Sequence, residues 1–537
     1  MVKKRKFISK VINASFSVGC VLSLSAATVM AADAAASNAA LPATAVYAQQ
    51  TKLDQANEVA TRQSLRTLNI RWYPKYHVAA PVGWINDPNG LCYYGGQYHV
   101  FYQYHPYSAQ WGPMHWGHVT STDLVHWKDE PVAIAPDRSY DANGCFSGSA
   151  IEKDGKLYIM YTGHVDLPAD QRKNNIDKVE NQCLAVSSDG IHFDKVEGNP
   201  VIPLPKDKGI YGTDFRDPMM WKHDGKYYTV VGAKAASTVG QVLLFRSDDL
   251  IEWDFVGSMA KAEGNEGHMW ECPNFTDVDG HDVLIFSPQD VQPEGDKYRN
   301  VDQSVYMLGN LNYDTGEFKH GEINQLDRGF DFYAPQVFKA ADGRVMMLGW
   351  LDMWGSAMPE QQDGWSCMMT VPRELHYKDG KLITAPAREL LSLRRNERTY
   401  EQVEVTGEKT LDSFTNGSGE FDIDFNLKDT DGMTMHLETA PDERMELSYD
   451  KKSGIFRMDR RYSGQNADGV RRATVKTDDG HLRVRGFVDR SSLEVFINGG
   501  ETVFSSRVYP STDKTEVKAA AKGGTLHVDK ASFYALD

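Results

Sequence analysis

A tight turn followed by an apolar strand recurs five times in this chain, and no other feature constrains the fold as much. The units run from Gly95-Gly96 to Phe101, Asp154-Gly155 to Met160, Asp224-Gly225 to Val230, Asp279-Gly280 to Ile285 and Asp342-Gly343 to Leu348. Asp-Gly and Gly-Gly supply the positive φ angles of a type I′ hairpin. In four units an Asp also stands four residues ahead of an aromatic: Asp123 and Trp127, Asp189 and Phe193, Asp249 and Trp253, Asp314 and Phe318. Regularly spaced antiparallel units of this kind stack around an axis as blades, so residues 73–386 are expected to form a five-bladed β-propeller.

The repeat ends near Pro386, and residues 387–399 read as a short linker. From residue 400 to 537 apolar and polar residues alternate, as in Phe421-Asp422-Ile423-Asp424-Phe425, with turns at Asp479-Gly480 and Asn498-Gly499-Gly500. That pattern predicts a C-terminal β-sandwich and an all-β protein. Ahead of the repeat, residues 32–72 read as a leader, with one helix expected around Leu53–Leu68. Residues 1–31 combine Lys3, Lys4, Arg5, Lys6 and Lys10 with an apolar run and the small-residue site Val29-Met30-Ala31. This is the pattern of a secretory signal peptide, and it predicts an exported protein, periplasmic or extracellular, with no membrane attachment after processing. The whole chain carries a net charge of −16, or −21 once the five basic residues before residue 32 are set aside. Such acidity argues against nucleic acid as a partner and disfavours anionic substrates. Beyond residue 31 the cysteines are Cys92, Cys145, Cys183, Cys272 and Cys367, an odd and widely spaced set that reads as buried single thiols.

The first strand of each blade lines the propeller axis, so polar residues seven or eight positions ahead of each turn face a shared channel. Asp87, Ser147, Asp217 and Glu271 all fall at that phase. Three carboxylates converging from three blades repel one another and resist burial, an arrangement that implies a task. Trp84 and Asn86 flank Asp87, and Arg216 precedes Asp217 and is expected to hold it ionised. Trp270 and Cys272-Pro273 give Glu271 a drier setting. Gln103, Trp111, Trp116, Phe146 and Trp350 add amides and planar groups. Amides and carboxylates read sugar hydroxyls, aromatics stack on sugar faces, and two carboxylates suffice for glycoside hydrolysis. No metal or cofactor is expected, because His105, His115, His118, His164 and His268 are scattered rather than set at ligand spacing with the carboxylates.

At these residues the chain resembles the glycoside hydrolase family of invertases, fructanases and sucrose-phosphate hydrolases. Trp84-Ile85-Asn86-Asp87-Pro88-Asn89-Gly90, Phe215-Arg216-Asp217-Pro218 and Trp270-Glu271-Cys272-Pro273 are similar to its three signature boxes, in order. Phe101-Tyr102-Gln103-Tyr104, His115-Trp116-Gly117-His118, Phe146-Ser147-Gly148-Ser149, Phe332-Tyr333-Ala334-Pro335-Gln336 and the C-terminal Asp489–Phe496 segment also match. The resemblance implies a propeller plus sandwich and retaining cleavage of β-fructofuranosides. It implies Asp87 as nucleophile, Glu271 as acid/base and Asp217 as transition-state stabiliser. Asn86, Gln103, Trp111, Phe146, Ser147, Arg216 and Trp350 resemble fructose-pocket residues. The Asp87–Glu271 separation is then expected to be roughly 5–5.5 Å, the retaining geometry. The expected activity is an invertase acting on sucrose. The alternatives are an exo-acting fructanase, a fructosyltransferase and a carbohydrate-binding propeller without catalysis. For the sandwich, only packing against the propeller is expected.

Overall fold

In this computed structural model the described residues are 51–64, 71–172, 176–205, 208–465 and 468–537. The signal segment and most of the leader lie outside them. The leader helix runs Lys52–Ser64, and none of the described helices is long and apolar enough to cross a membrane.

Five antiparallel sheets follow one another in sequence, each led by its axial strand: Gly83–Tyr94, Gly144–Lys153, Phe215–His223, Met269–Val278 and Tyr333–Lys339. A short strand from the chain between the second and third strands of the fifth blade, Trp365–Ser366, joins the first sheet by pairing in parallel with Gly83 and Trp84, and so ties the last blade to the first. The hairpin turns fall where the repeat places them. Four use paired left-handed residues, at Gly95-Gly96, Asp154-Gly155, Asp224-Gly225 and Asp279-Gly280. The fifth differs: only Gly343 is left-handed, and Gly343 N–H donates to Ala340 O in a wider turn. The second signature also has a physical basis. Asp123, Asp189 and Asp249 each accept from two backbone N–H groups just downstream, at 2.8–3.1 Å, and close a polar turn before the outer strand. In the fourth blade Asn312 takes that position instead of Asp314.

Side chains on the axial strands stitch neighbouring blades together at one level. Gly148 N donates to Asn89 Oδ1, Met220 N to Ser149 Oγ, Cys272 N to Asp217 Oδ2, Val337 N to Asn274 Oδ1 and Leu91 N to Gln336 Oε1. These bonds span all five blade interfaces, and the ring closes.

Two six-stranded sheets form the sandwich, between Arg394 and Leu536. Its first strand begins at Arg394 rather than near residue 400, and the residues ahead of it form a single 3-10 turn, Arg388–Leu393. The alternation read from sequence buries Phe421, Ile423 and Phe425 on one face, opposite Leu447 and Phe456 in the core. Asp489 and Glu494 serve the domain junction. Propeller residue His77 lies fully buried between them, with Nδ1 2.8 Å from Asp489 Oδ2 and Nε2 3.0 Å from Glu494 Oε1. Arg373 of the fifth blade reaches Glu494 at 2.6 Å and Asp327 at 3.0 Å.

With a carboxylate on each ring nitrogen, His77 is held as the cation. Burial alone would lower its pKa, but the bonds to Asp489 and Glu494 outweigh it and raise the pKa from 6.5 to about 9. A folded pKa above the unfolded one gives stability that is complete below pH 6.5 and is lost as pH rises through about 9. Chemical denaturation at pH 6 to 10 is therefore expected to show a loss of stability over that window. His77→Gln should be less stable at pH 6 and lack most of the slope; an unchanged slope would remove His77 from this role.

Candidate active site

Every axial strand carries a bulge at the same level, and the bulges hold the residues singled out by phase. Register breaks fall at Asn86-Asp87, at Ser147, at Asp217-Pro218, at Cys272-Pro273 and at Ala334-Pro335. An extra residue re-aims the side chain beside it. Asp217, Cys272 and Ala334 adopt left-handed φ of 67°, 46° and 46°, a strained state for residues with a Cβ.

The three carboxylates meet around one point. Asp87 Oδ2 accepts from Ser147 Oγ at 2.6 Å and Oδ1 from Asn86 Nδ2 at 3.1 Å. The Cys272 thiol lies between Asp87 Oδ2 at 3.5 Å and Asp217 Oδ2 at 3.7 Å, and the Cys272 backbone N–H also donates to Asp217. Glu271 accepts through both oxygens: Oε1 from Arg216 Nε and Nη2 at 3.0 and 2.9 Å, and Oε2 from Tyr333 Oη at 2.5 Å. To donate a proton, Glu271 gives up one of these bonds.

Burial raises the pKa of Asp87, and the Glu271 charge adds to this against the lowering bond from Ser147. Burial also raises Asp217, with Glu271 and Asp87 adding to it against Arg216. The clustered carboxylates therefore resist ionising all together. A nucleophilic Asp87 would act as the ionised form, and with that role activity is expected to fall as pH drops through its raised pKa. Ser147→Ala removes a bond to a charged acceptor worth about 1.5–3 kcal/mol. It should move the acid limb of kcat/KM to higher pH and lower kcat/KM by roughly 10- to 100-fold at pH 6; an unmoved limb would show that Ser147 does not tune Asp87.

Arg216 favours an ionised Asp217, as their adjacency suggests, but from 4.0 Å and too weakly to offset burial. Its closer contacts go to Glu271, to Glu180 at 3.1 Å and to Asp214 at 2.7 Å. The left-handed Asp217 backbone re-aims its carboxyl toward Cys272 N. Of the pocket residues, Asn86, Ser147 and Arg216 touch the carboxylates. Trp111 is half exposed and meets the Phe146 ring edge-on at 6.2 Å, and Phe146 stacks on His164 at 4.1 Å. Trp350 is fully buried and packs against Trp84 and Trp354. Gln103 is almost fully buried and donates to Cys145 O at 3.0 Å.

Sequence reasoning missed Tyr333, Glu180 and Asp214. Tyr333 lay just outside the count: it immediately precedes the fifth bulge but stands nine residues ahead of Asp342, where the others stand seven or eight ahead of their turns. Glu180 is fully buried and held well below the usual carboxylate range, because Arg216, His164 and Lys178 outweigh its burial. Nothing in its sequence surroundings marks it.

Comparison with known proteins agrees with this geometry. The family model for the glycosyl hydrolases family 32 N-terminal domain matches residues 77–386, and that for the family 32 C-terminal domain matches 389–535. A sucrose-6-phosphate hydrolase of Escherichia coli is 40% identical, over 91% of this chain and 99% of its own. A raffinose invertase of Escherichia coli is 41% identical, over 90% and 99%. The solved GH32 beta-fructofuranosidase BmSUC1 of Bombyx mori superposes with a TM-score of 0.79 at 35% identity, over 90% of this chain and 97% of that one. These findings correct one expectation. Several relatives are named for phosphorylated sucrose, a substrate expected inside cells. That conflicts with the exported location read from residues 1–31, which lie outside the described residues, and the reading is withdrawn. With both family models matched along the five-bladed propeller and its sandwich, the chain belongs to glycosyl hydrolases family 32 and is a glycoside hydrolase.

Proposed function

We propose that this enzyme hydrolyses the terminal non-reducing β-D-fructofuranoside of sucrose and related fructosides with retention of configuration. One observation carries the reading: Asp87, Asp217 and Glu271, from three different blades, surround a single point, with the first two joined through Cys272 and the third fixed by Arg216 and Tyr333. Asp87 attacks C2 of the fructosyl unit while the bond from C2 to the leaving oxygen breaks and Glu271 gives that oxygen its proton. Glu271 then takes a proton from water, the water oxygen bonds to C2, and Asp87 departs as carboxylate. Asp217, beside the nucleophile, accepts hydrogen bonds from fructose hydroxyls as positive charge develops on the ring. Trp111 and Phe146 at the rim offer apolar faces to the sugar.

A variant of the Bombyx mori enzyme has been solved in complex with sucrose, and it is 33% identical to this chain with a TM-score of 0.79. That relative supports sucrose as the first substrate to test. NMR of the first turnovers should show β-fructofuranose before mutarotation; initial release of the α anomer would refute the two-step route. Rates on sucrose, inulin and levan decide between invertase and fructanase, and a hundredfold preference for a polymer would sink the former.

A further inference from the structure

The guanidinium that fixes Glu271 also carries a second carboxylate, Asp214, 2.7 Å from Nη1. Two lysines close on that carboxylate from different blades: Lys178 Nζ at 3.0 Å from Oδ1 and Lys234 Nζ at 2.9 Å from Oδ2. Lys178 also lies 3.2 Å from Glu180. Three cations, Arg216, Lys178 and Lys234, are thus matched by three carboxylates, Glu271, Glu180 and Asp214. Burial alone would raise the pKa of Asp214, but Arg216 and Lys178 outweigh it and hold the group ionised, well below the usual carboxylate range. The Asp214, Lys178 and Lys234 side chains remain 18%, 23% and 17% exposed, so the cluster opens to solvent instead of being sealed in a core.

Its position matters because Glu271 must reach the leaving oxygen. The aglycone therefore lies against the Glu271 side of the site, and Asp214 stands one guanidinium away from it. We propose that Asp214 is a specificity-determining residue that makes the site select a neutral leaving sugar, by occupying the cations that a phosphorylated one would need. This rests on the β-fructofuranosidase reading above and sharpens it. A sugar phosphate carries close to two negative charges and is bound by unpaired Arg or Lys donors. Here each of the three cations already has a carboxylate partner, and a dianion would add repulsion from Asp214. Overall similarity does not decide the matter, since the relatives named for phosphorylated sucrose and for raffinose are 40% and 41% identical to this chain.

The test is the ratio of kcat/KM for sucrose to that for sucrose 6-phosphate, in the unaltered enzyme and in Asp214→Asn. The unaltered enzyme is expected to favour sucrose at least tenfold. Asp214→Asn frees Lys178 and Lys234 without changing the shape of the side chain, and should move the ratio at least tenfold toward the phosphorylated sugar. Added salt should erode that gain. Asp214→Glu, which keeps the charge, should leave the ratio near its starting value, and Lys178→Met with Lys234→Met on the Asp214→Asn background should cancel the shift. Calorimetric binding of glucose and glucose 6-phosphate reports the same preference without turnover, which keeps the test decisive if the variant is slow. A ratio unmoved by Asp214→Asn, a gain that survives loss of both lysines, or a starting preference for the phosphorylated sugar would overturn the proposal. Hydrolysis of neither sugar by the unaltered enzyme would overturn the underlying activity as well, so the two failures are distinguishable.

Discussion

Asp87→Asn is expected to lower kcat on sucrose by about 10,000-fold or more, a loss of at least ~5.5 kcal/mol of transition-state stabilisation. Asn has the shape of Asp and still accepts from Ser147, which stands 2.6 Å from the carboxylate, while giving up the longer bond from Asn86 at 3.1 Å. What disappears is the anionic oxygen that forms the bond to C2. Removing that charge also relieves the repulsion among the three carboxylates, so sucrose should bind within about tenfold of its original affinity while turnover collapses. Calorimetry with sucrose separates these two effects. Turnover within tenfold of the unaltered enzyme would exclude Asp87 as nucleophile.

Glu271→Gln is expected to cost about 1,000-fold on sucrose, within the usual range for a general acid/base. The amide keeps an acceptor for Arg216 or Tyr333 but has no proton to give the leaving oxygen. The loss should therefore depend on the leaving group. An aryl fructoside, whose phenolate leaves without a proton, should form the fructosyl intermediate at near-normal speed and then stall, because no base activates water. Azide needs no deprotonation and should restart turnover, giving β-fructosyl azide. A uniform loss across leaving groups, with no azide rescue, would remove Glu271 from the acid/base role.

Both predictions rest on residues found by counting back from hairpin turns, and the success of that count has a physical basis. Propeller blades repeat the same backbone path, so equal sequence phase means equal height on the axis, and Asp87, Ser147, Asp217 and Glu271 do share one level of bulges. Adjacency in sequence was a poorer guide. Arg216 and Asp217 are neighbours, but the left-handed turn between them sends the guanidinium to Glu271 and the carboxylate to Cys272. Contacts between blades were the least legible. Glu180 becomes part of the site only because the second and third blades pack against each other, and no local pattern announces that; Asp214, two residues ahead of Arg216, reaches it locally. The Asp489–Phe496 segment matched as a motif, but its purpose was visible only once His77 was seen between Asp489 and Glu494.

The ring of hydrogen bonds across the five axial strands places Asp87 in the first blade and Glu271 in the fourth under a common constraint. The hairpin turns lie several residues away at the opposite end of the same strands, and their glycines Gly95, Gly155, Gly225, Gly280 and Gly343 face open space. The domain is thus divided along its axis into a rigid chemical end and a permissive connecting end. A peptide tag, a surface linker or even new chain termini introduced at Asp224-Gly225 would load the permissive end, leaving the spacing of the carboxylates to the ring.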